Sequence, residues 1–399
     1  MGDPESALVI AIGKAYHQAG VPSDQLEALM SATALALHRE LQVTALPTSI
    51  TAALGPGDAQ KIVLLRLQPG EIDLHRLALL NIVFERIVQQ QISTALATKE
   101  VERIGSLRYV AQPVQTVSAY CMLSAGAAVI LNGHAPEIAA AAIVGVVVGS
   151  LSVLARRSPT IARLFEVLAA FAATAIVTGY AALVHPVSAY IPIVAGVIQV
   201  LPGLQLTEAL HELAYRNLVA GTARLGGVFM TLLSLGCGYA LGIALFGPGP
   251  MHVTKIFATP IPWYELALAV GGIAAAISIL ENARRIDVPY VFGSCGVAEI
   301  AYRVFAALPG HQVAAFGAAL VVGIVTSIGA RAAHVPQAVL LIPGLLILVP
   351  GSLSYESILF VQSDAADAAG IAVNSILAAV EIVAGLVLAQ LFIAPRRAQ

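Results

Sequence analysis

Residues 200–212 read VLPGLQLTEALHE, and residues 341–355 read LIPGLLILVPGSLSY. Each places Pro-Gly inside a long apolar run. Proline removes a backbone donor and clashes with the preceding turn, and glycine loosens a helix further. Two apolar runs far apart in one chain, broken by the same device, set the reading of everything around them.

The chain has 399 residues, of which 58% are hydrophobic and only 11% charged, with a mean hydropathy of +0.85. Soluble domains carry about 25% charged residues, so this composition describes an integral membrane protein. The charge is uneven. Residues 1–108 hold Lys14, Arg39, Lys61, Arg66, Arg76, Arg86, Lys99, Arg103 and Arg108 and read as soluble. Beyond Arg108, apolar runs follow one another, each long enough to cross a hydrocarbon layer of ~30 Å. Ten spans are expected, near 114–132, 136–155, 165–184, 187–203, 226–246, 262–280, 289–307, 312–330, 335–351 and 370–394.

The same numbers exclude several functions. A net charge of −2 implies no nucleic-acid partner. Cys121, Cys237 and Cys295 all lie in apolar segments, where they read as inert buried thiols, with no disulfide and no metal site. Gly13-Lys14 lacks the earlier glycine and the following Ser or Thr of a phosphate-binding loop. No nucleophile elbow or dinucleotide fingerprint appears, so neither an enzyme nor a cofactor is expected. The N-terminus, MGDPESALVI, lacks the basic region and apolar core of a cleavable signal.

The soluble part reads as α+β. Residues 23–41 have helical periodicity, with Ser23 and Asp24 in capping positions behind Pro22. Residues 42–54 and 61–67 are β-rich and separated by the turn signal GPGD. Residues 73–91 return to a helical period with Asp73 as N-cap, and a short helix near 94–107 leads toward the membrane.

Orientation follows from the arginines. With residues 1–108 cytoplasmic, the inner connections hold Arg156, Arg157, Arg163, Arg216, Arg224, Arg284, Arg285, Arg331, Arg396 and Arg397, and the outer ones hold only Lys255. Both termini are then cytoplasmic, in a bacterial inner membrane. Five spans precede the 245–262 linker and five follow it. The expected organisation is a cytoplasmic α+β domain (1–108) and two five-helix membrane halves (109–247 and 262–397). An odd number of spans per half makes equivalent helices run oppositely. The fourth span of each half carries the break, with Pro202 in the first and Pro343 and Pro350 in the second. Matched broken helices in inverted halves are the sequence signature of a secondary transporter.

At these residues the chain resembles the threonine/serine exporter family (ThrE), including its split two-chain relatives linked to succinate export. In the soluble part the resemblance rests on LPTSI (46–50) and LRLQPGEIDLHRLALLN (65–81). In the membrane part it rests on VLPGLQLTEALHELAYRNLVAGTARL (200–225), FGSCG (292–296) and VPQAVLLIPGLLILVPGSLSYESI (335–358). The family's early Ser-Gly-Ala-Glu-Ser-x-Arg-Val-Glu region appears here as QAGVPSDQLEAL (18–29), which keeps Gly20 and Glu27 and lacks the arginine. The resemblance implies export of threonine and serine, driven by proton antiport, with a small-molecule substrate, protons and the lipid bilayer as partners. Homo-oligomerisation is left open.

The candidate substrate site is the pair of breaks. A half-helix starting after Pro202-Gly203 points its positive end at the break, which suits a carboxylate. Gln205, Thr207 and Glu208 could add amide, hydroxyl and carboxylate contacts. In the second half Pro343, Gly344, Pro350, Gly351, Ser352, Ser354 and Tyr355 form the matching set. Glu208, His211 and Glu212 share one helical turn and read chiefly as a solvated cytoplasmic face, with a proton-accepting cluster around His211 as the sharper alternative. Glu299 and Arg303, four apart, share a helix face as an ion pair, structural or on the transport path. Glu381 has no basic partner within sequence reach and is the candidate proton carrier, with Asn374 nearby. Asp364 and Asp367 read as solvated outside the last span. The alternatives are a C4-dicarboxylate exporter, for which Arg303 would be the second clamp, and a non-transporting membrane scaffold or sensor.

Overall fold

The computed structural model describes residues 3–57, 60–107, 111–247, 261–308, 313–333, 335–361 and 365–392. Arg108, Lys255, Asp364, Arg396, Arg397 and most of the 245–262 linker lie outside the described residues.

The N-terminal part is α+β. Helices α1 (Pro4–Gln18) and α2 (Ser23–Ala36) precede an antiparallel sheet of order β1-β2-β3, and α3 (Leu74–Val88) and α4 (Thr94–Ser106) follow it. Helix α1 carries no strong start signal in the sequence beyond Pro4, and it was not among the expected elements. The stretch 42–54 is not one strand. Pro47 and Thr48 turn the chain between β1 (Leu41–Leu46) and β2 (Ser49–Leu54), and β3 (Lys61–Arg66) completes the sheet. Ala45, Ile50, Ala52 and Leu54 face inward onto Leu8, Ile12, Leu26, Met30 and Leu74. That core does not stop at the end of the unit. It runs on through Ile273, Ile277, Val291 and Cys295 of the apolar helices, and Ala78 packs in a cluster with Val339 and Leu340.

The apolar part comprises α5 (Pro113–Ile130), α6 (Ala135–Ala155), the short α7 (Pro159–Arg163), α8 (Phe165–Leu183), α9 (Tyr190–Gly196), α10 (Gly203–Ala214) and α11 (Leu218–Phe246). After the linker come α12 (Trp263–Leu280), α13 (Val288–Ala306), α14 (Ala314–Ala333), α15 (Gln337–Leu348), α16 (Gly351–Phe360) and α17 (Ala365–Phe392). Among the described residues eight helical segments are long and apolar enough to cross a membrane, with Gln337–Phe360 counted as one. A ninth is the pair Tyr190–Gly196 and Ile198–Ala214, bent by 56°. Of the ten expected spans, α13 is helical but outside this set, since Glu299, Arg303 and several small polar residues dilute its apolar run.

Packing contacts fix relative directions. Gly145 and Gly149 of α6 face Ser124 and Tyr120 of α5, so the two form an antiparallel hairpin. Gly238 and Gly242 of α11 face Val167 and Thr174 of α8, so these run the same way. In the second half Gly385 of α17 faces Phe316 and Leu320 of α14, and Gly323 faces Ala389, giving the same parallel pair. Helix α10 folds back along α11, with Leu213 against Gly221, and it runs alongside α17 in the same direction, from Leu206 near Ala379 to Tyr215 bonded to Gln390 at 3.1 Å. Helices α11 and α17 are therefore antiparallel.

The breaks have one backbone geometry. Leu201 (φ −67°, ψ 132°) and Pro202 (φ −81°, ψ 37°) are matched by Val349 (φ −66°, ψ 133°) and Pro350 (φ −81°, ψ 33°). An extended residue before proline is what the pyrrolidine ring imposes. Pro343 is not the counterpart of Pro202. It sits inside α15, which continues to Leu348, held where Gly344 packs on Ser294 and Val322. The expected break at Pro343-Gly344 is thus corrected to a single break at Pro350-Gly351. The expected spans 187–203 and 335–351 were cut short for the same reason, because helix resumes after each Pro-Gly as α10 and α16.

Gly203 and Gly351 touch each other. A Cβ on Gly203 would lie 2.7 Å from the Gly351 amide nitrogen and 2.8 Å from its Cα. Gly203→Ala should therefore lower the melting temperature of the purified protein in detergent, by the 1–3 kcal/mol or so typical of overpacking. Gly226→Ala, where the added methyl meets open space, should leave it unchanged in the same assay.

Candidate functional site

Helices α10 and α16 begin at the touching glycines, with Pro202 and Pro350 as their N-caps. Two helix N-termini therefore meet at one point, and their first amides have no partners within their own helices. The hydroxyls expected to serve a ligand bond to backbone in this conformation. Thr207 donates to the Gly203 carbonyl at 3.2 Å, and Ser354 donates to that of Pro350 at 3.1 Å. Ser354 also lies 2.5 Å from Ser375, a residue the sequence reading did not single out. The Tyr355 side chain is fully buried, and its hydroxyl has no hydrogen-bond partner among the described residues. Gln205 and Asn374 are exposed, Ser352 is half-buried, and Pro343 and Gly344 lie buried inside α15.

Glu208 and Glu212 are not on a solvated face, which corrects that reading. Arg224, from the first turns of α11, forms a fork over both. Its Nε and Nη2 donate to the two oxygens of Glu212 at 3.2 and 2.9 Å, and its Nη1 donates to Glu208 at 2.9 Å. Glu212 is wholly buried. Its Oε1 also accepts the backbone N–H of Ser23, at 3.1 Å, on the first residue of α2. The Ser23 and Asp24 side chains make no N-terminal cap for α2; a carboxylate far along the chain takes that place, which the positive end of the helix favours. His211 stacks on Tyr215 with ring centroids 4.6 Å apart, and its Nδ1 lies 3.5 Å from Asp24. Glu27, in the stretch that departs from the family pattern, accepts the amide of Ala45 at 2.7 Å. One polar cluster thus ties α10, the helix that starts at the first break, to the N-terminal unit.

A second tie lies between Asp73 and the end of α12. Asp73 caps α3 as expected, accepting from the Arg76 amide at 2.9 Å. The Leu74 amide donates to the Glu281 carbonyl at 2.8 Å, and the Gln199 amide, between α9 and α10, reaches the Glu281 carboxylate at 3.4 Å. Burial pushes the Glu281 carboxyl up to about 7; the Gln199 hydrogen bond opposes this, and nearby Glu71 and Asp73 add to it.

The remaining expected residues stand apart from the breaks. Arg303 donates to Glu299 at 2.5 Å as the shared helix face implied. No basic side chain pairs with Glu381 among the described residues, and its carboxyl lies beside the backbone amides of Ala315 and Phe316 at the first turn of α14. Sequence reasoning missed Glu356, which accepts the Tyr190 hydroxyl at 2.9 Å. Aligning the halves on Pro350 rather than Pro343 reveals it, because Glu356 then falls at the position of Glu208.

A family model described as "Putative threonine/serine exporter" matches residues 7–246, and a second, "Threonine/Serine exporter, ThrE", matches residues 265–392. Among curated proteins the chain is similar to Pheromone-regulated membrane protein 10 of Eremothecium gossypii, 24% identical over 364 residues that cover 88% of this chain and 48% of that protein. The protein of the same name from Saccharomyces cerevisiae strain YJM789 is 24% identical over 88% of this chain and 46% of its own length. That of Candida glabrata is 26% identical over 72% and 37%. The chain spans about half or less of the length of these relatives. No solved structure matches it.

The two ties make separable predictions. Arg224→Ala strands two carboxylates and should cost about 3–5 kcal/mol, read as a lower melting temperature and faster proteolysis of the N-terminal unit. Glu212→Gln, which still accepts the Ser23 amide, should cost less. At the other tie, Glu281 has a folded pKa raised from 4.5 to about 7. A raised carboxyl binds more protons folded than unfolded, so its contribution to stability is present below about 4.5 and lost as pH rises through about 7. Protection of the Leu74 amide, taken relative to its intrinsic exchange rate at each pH, should fall over that window, and Glu281→Gln should flatten the dependence.

Proposed function

We propose a transport function on one premise: the chain belongs to the threonine/serine exporter family. The family is one of membrane transporters, so a bilayer and a small-molecule substrate come with membership. We read the chain as a secondary exporter of threonine and serine by proton antiport. Residues 1–108 form a cytoplasmic domain, and 109–247 and 262–397 form two inverted five-helix halves in a bacterial inner membrane, with α13 as the tenth crossing. The antiparallel pairing of α11 with α17, the parallel pairs α8–α11 and α14–α17, and the matched breaks all favour inverted halves. The arginine bias favours cytoplasmic termini.

The observation that carries the reading is the meeting of two helix N-termini at the breaks. Together they form a site for an anionic group, and the carboxylate common to all amino acids is the group to place there. Because Gly203 and Gly351 are in contact, the carboxylate enters only as the breaks part. Separating them frees Thr207, Ser352 and Ser354 for the substrate's own hydroxyl and leaves Glu208 within reach of its ammonium. Arg303, the clamp a dicarboxylate would need, is paired with Glu299, and Glu208 is paired with Arg224, so either substrate would have to displace an ion-pair partner, and the choice of the amino acid rests on the family. Glu381 carries the proton in this reading, with its ionised form held by the first turn of α14. The N-terminal domain gates α10 through Glu212.

Counterflow in proteoliposomes tests this, with labelled threonine, serine and succinate and with or without a pH gradient. Threonine and serine should exchange, faster with the gradient. Succinate flux alone would give the dicarboxylate reading, and no flux from folded protein would leave a scaffold or sensor. Glu381→Gln should retain counterflow and lose the response to the gradient. One coupled proton is worth about 1.4 kcal/mol per pH unit of gradient, so the loss is measurable.

A further inference from the structure

We propose that Tyr190 and Glu356 close the outer side of the transport path, doing in the second half what Arg224 and Glu208 do in the first. This rests on the inverted-repeat transporter reading. The two carboxylates hold equivalent places. Glu208 follows Gly203-Leu-Gln-Leu-Thr, and Glu356 follows Gly351-Ser-Leu-Ser-Tyr. Their helices start from breaks of the same backbone geometry, so each carboxylate lies a turn and a half beyond the meeting point of the halves, on opposite sides of it. Each is fastened at 2.9 Å, Glu208 by the Arg224 guanidinium and Glu356 by the Tyr190 hydroxyl, which donates to it.

The two fastenings differ in what they join. Arg224 and Glu208 both belong to the first half. Tyr190 begins α9 in the first half, whereas Glu356 lies on α16 in the second, so any rocking of one half against the other strains this bond. Tyr190 is also held by the ring of Phe360, edge-on at 6.4 Å. One position closer to the break sits Tyr355, fully buried with its hydroxyl unpartnered among the described residues. One position further in, Ser354 shares the Pro350 carbonyl with Ser375. A buried phenol without a partner is costly in this apolar setting, and a polar solute reaching the break would satisfy it. The groups a substrate would meet on its way out are thus assembled directly behind the Tyr190–Glu356 bond.

The test is thiol labelling of the full chain in liposomes, with Cys121, Cys237 and Cys295 changed to alanine and Ser354→Cys introduced behind the bond. A membrane-impermeant maleimide is added to the face opposite the N-terminal domain. Adding Tyr190→Phe should raise the labelling rate roughly tenfold or more, about what losing one hydrogen bond to a charged group permits. Adding Glu356→Gln instead keeps an acceptor for the tyrosine and should leave labelling slow. If Ser354→Cys does not fold, Ser352→Cys on the same helix serves. Equal rates in all backgrounds, or faster labelling from the N-terminal face, overturn the proposal. Threonine and serine counterflow of the unmodified chain is run alongside. Flux without the labelling difference sinks the closure alone, while the labelling difference without any flux sinks the transport reading and leaves the closure standing.

Discussion

Everything in the apolar part turns on the contact between Gly203 and Gly351. A helix broken within an apolar layer exposes amides and carbonyls that neither lipid nor alkyl side chains can satisfy. Two breaks in separate places would carry that cost twice. Bringing them together lets one locus hold both sets of helix ends, and only residues without a Cβ allow the backbones so close. Proline then fixes where each helix stops, by forcing Leu201 and Val349 into extended conformation. The result is one polar point, built almost wholly from main chain.

The same contact explains why the serine and threonine hydroxyls bond inward. With the glycines closed on each other, Thr207 and Ser354 have the carbonyl of their own first turn as the available acceptor. Such back-bonds are weak and local, so they satisfy the hydroxyls without locking them. The cluster under Arg224 is the opposite case. Glu212 is buried, shared between a guanidinium and a helix N-terminus, and tied to a separate unit of the fold. Removing one partner there uncovers a charge. The molecule thus pairs a loosely held break with a firmly held anchor on the same helix, α10, and any movement of that helix must be transmitted to the N-terminal unit.

Much of this was legible in the sequence. Apolar runs of the right length anticipated the eight described helices long and apolar enough to cross a membrane and the bent pair at the first break, and Asp73 announced its helix because an N-cap needs only local chemistry. Periodicity could not say which of two Pro-Gly pairs breaks the second half. Pro343 and Pro350 look alike in the chain, and the choice is made by Gly344 settling on Ser294 and Val322, a contact between distant segments. Ser23 misled for a related reason. It has the chemistry of a cap, yet the group that caps α2 is Glu212, whose carboxylate is shared between Ser23 and Arg224, residues far apart in the chain. Sequence offered Glu381 no basic partner, and the groups beside it are backbone amides, which no side-chain pattern reveals.

The two breaks share a backbone geometry but differ in the side chains beyond them. Glu208 is paired with a fixed cation, Arg224, which is itself held by the buried Glu212, and Glu212 ties the helix to the N-terminal unit. Among the described residues, Glu356 meets a phenol, that of Tyr190. In a low-dielectric setting an ion pair with satisfied hydrogen bonds resists separation, while a single hydrogen bond from a neutral donor exchanges readily for one from water or a solute. Equivalent helices therefore have unequal freedom: α16 can release its carboxylate at small cost, whereas α10 can do so only if the Arg224 fork is replaced or the N-terminal unit shifts. Exact symmetry would leave the two openings equally easy. On the transport reading proposed above, unequal fastening makes one side the easier opening and couples the other to the N-terminal unit.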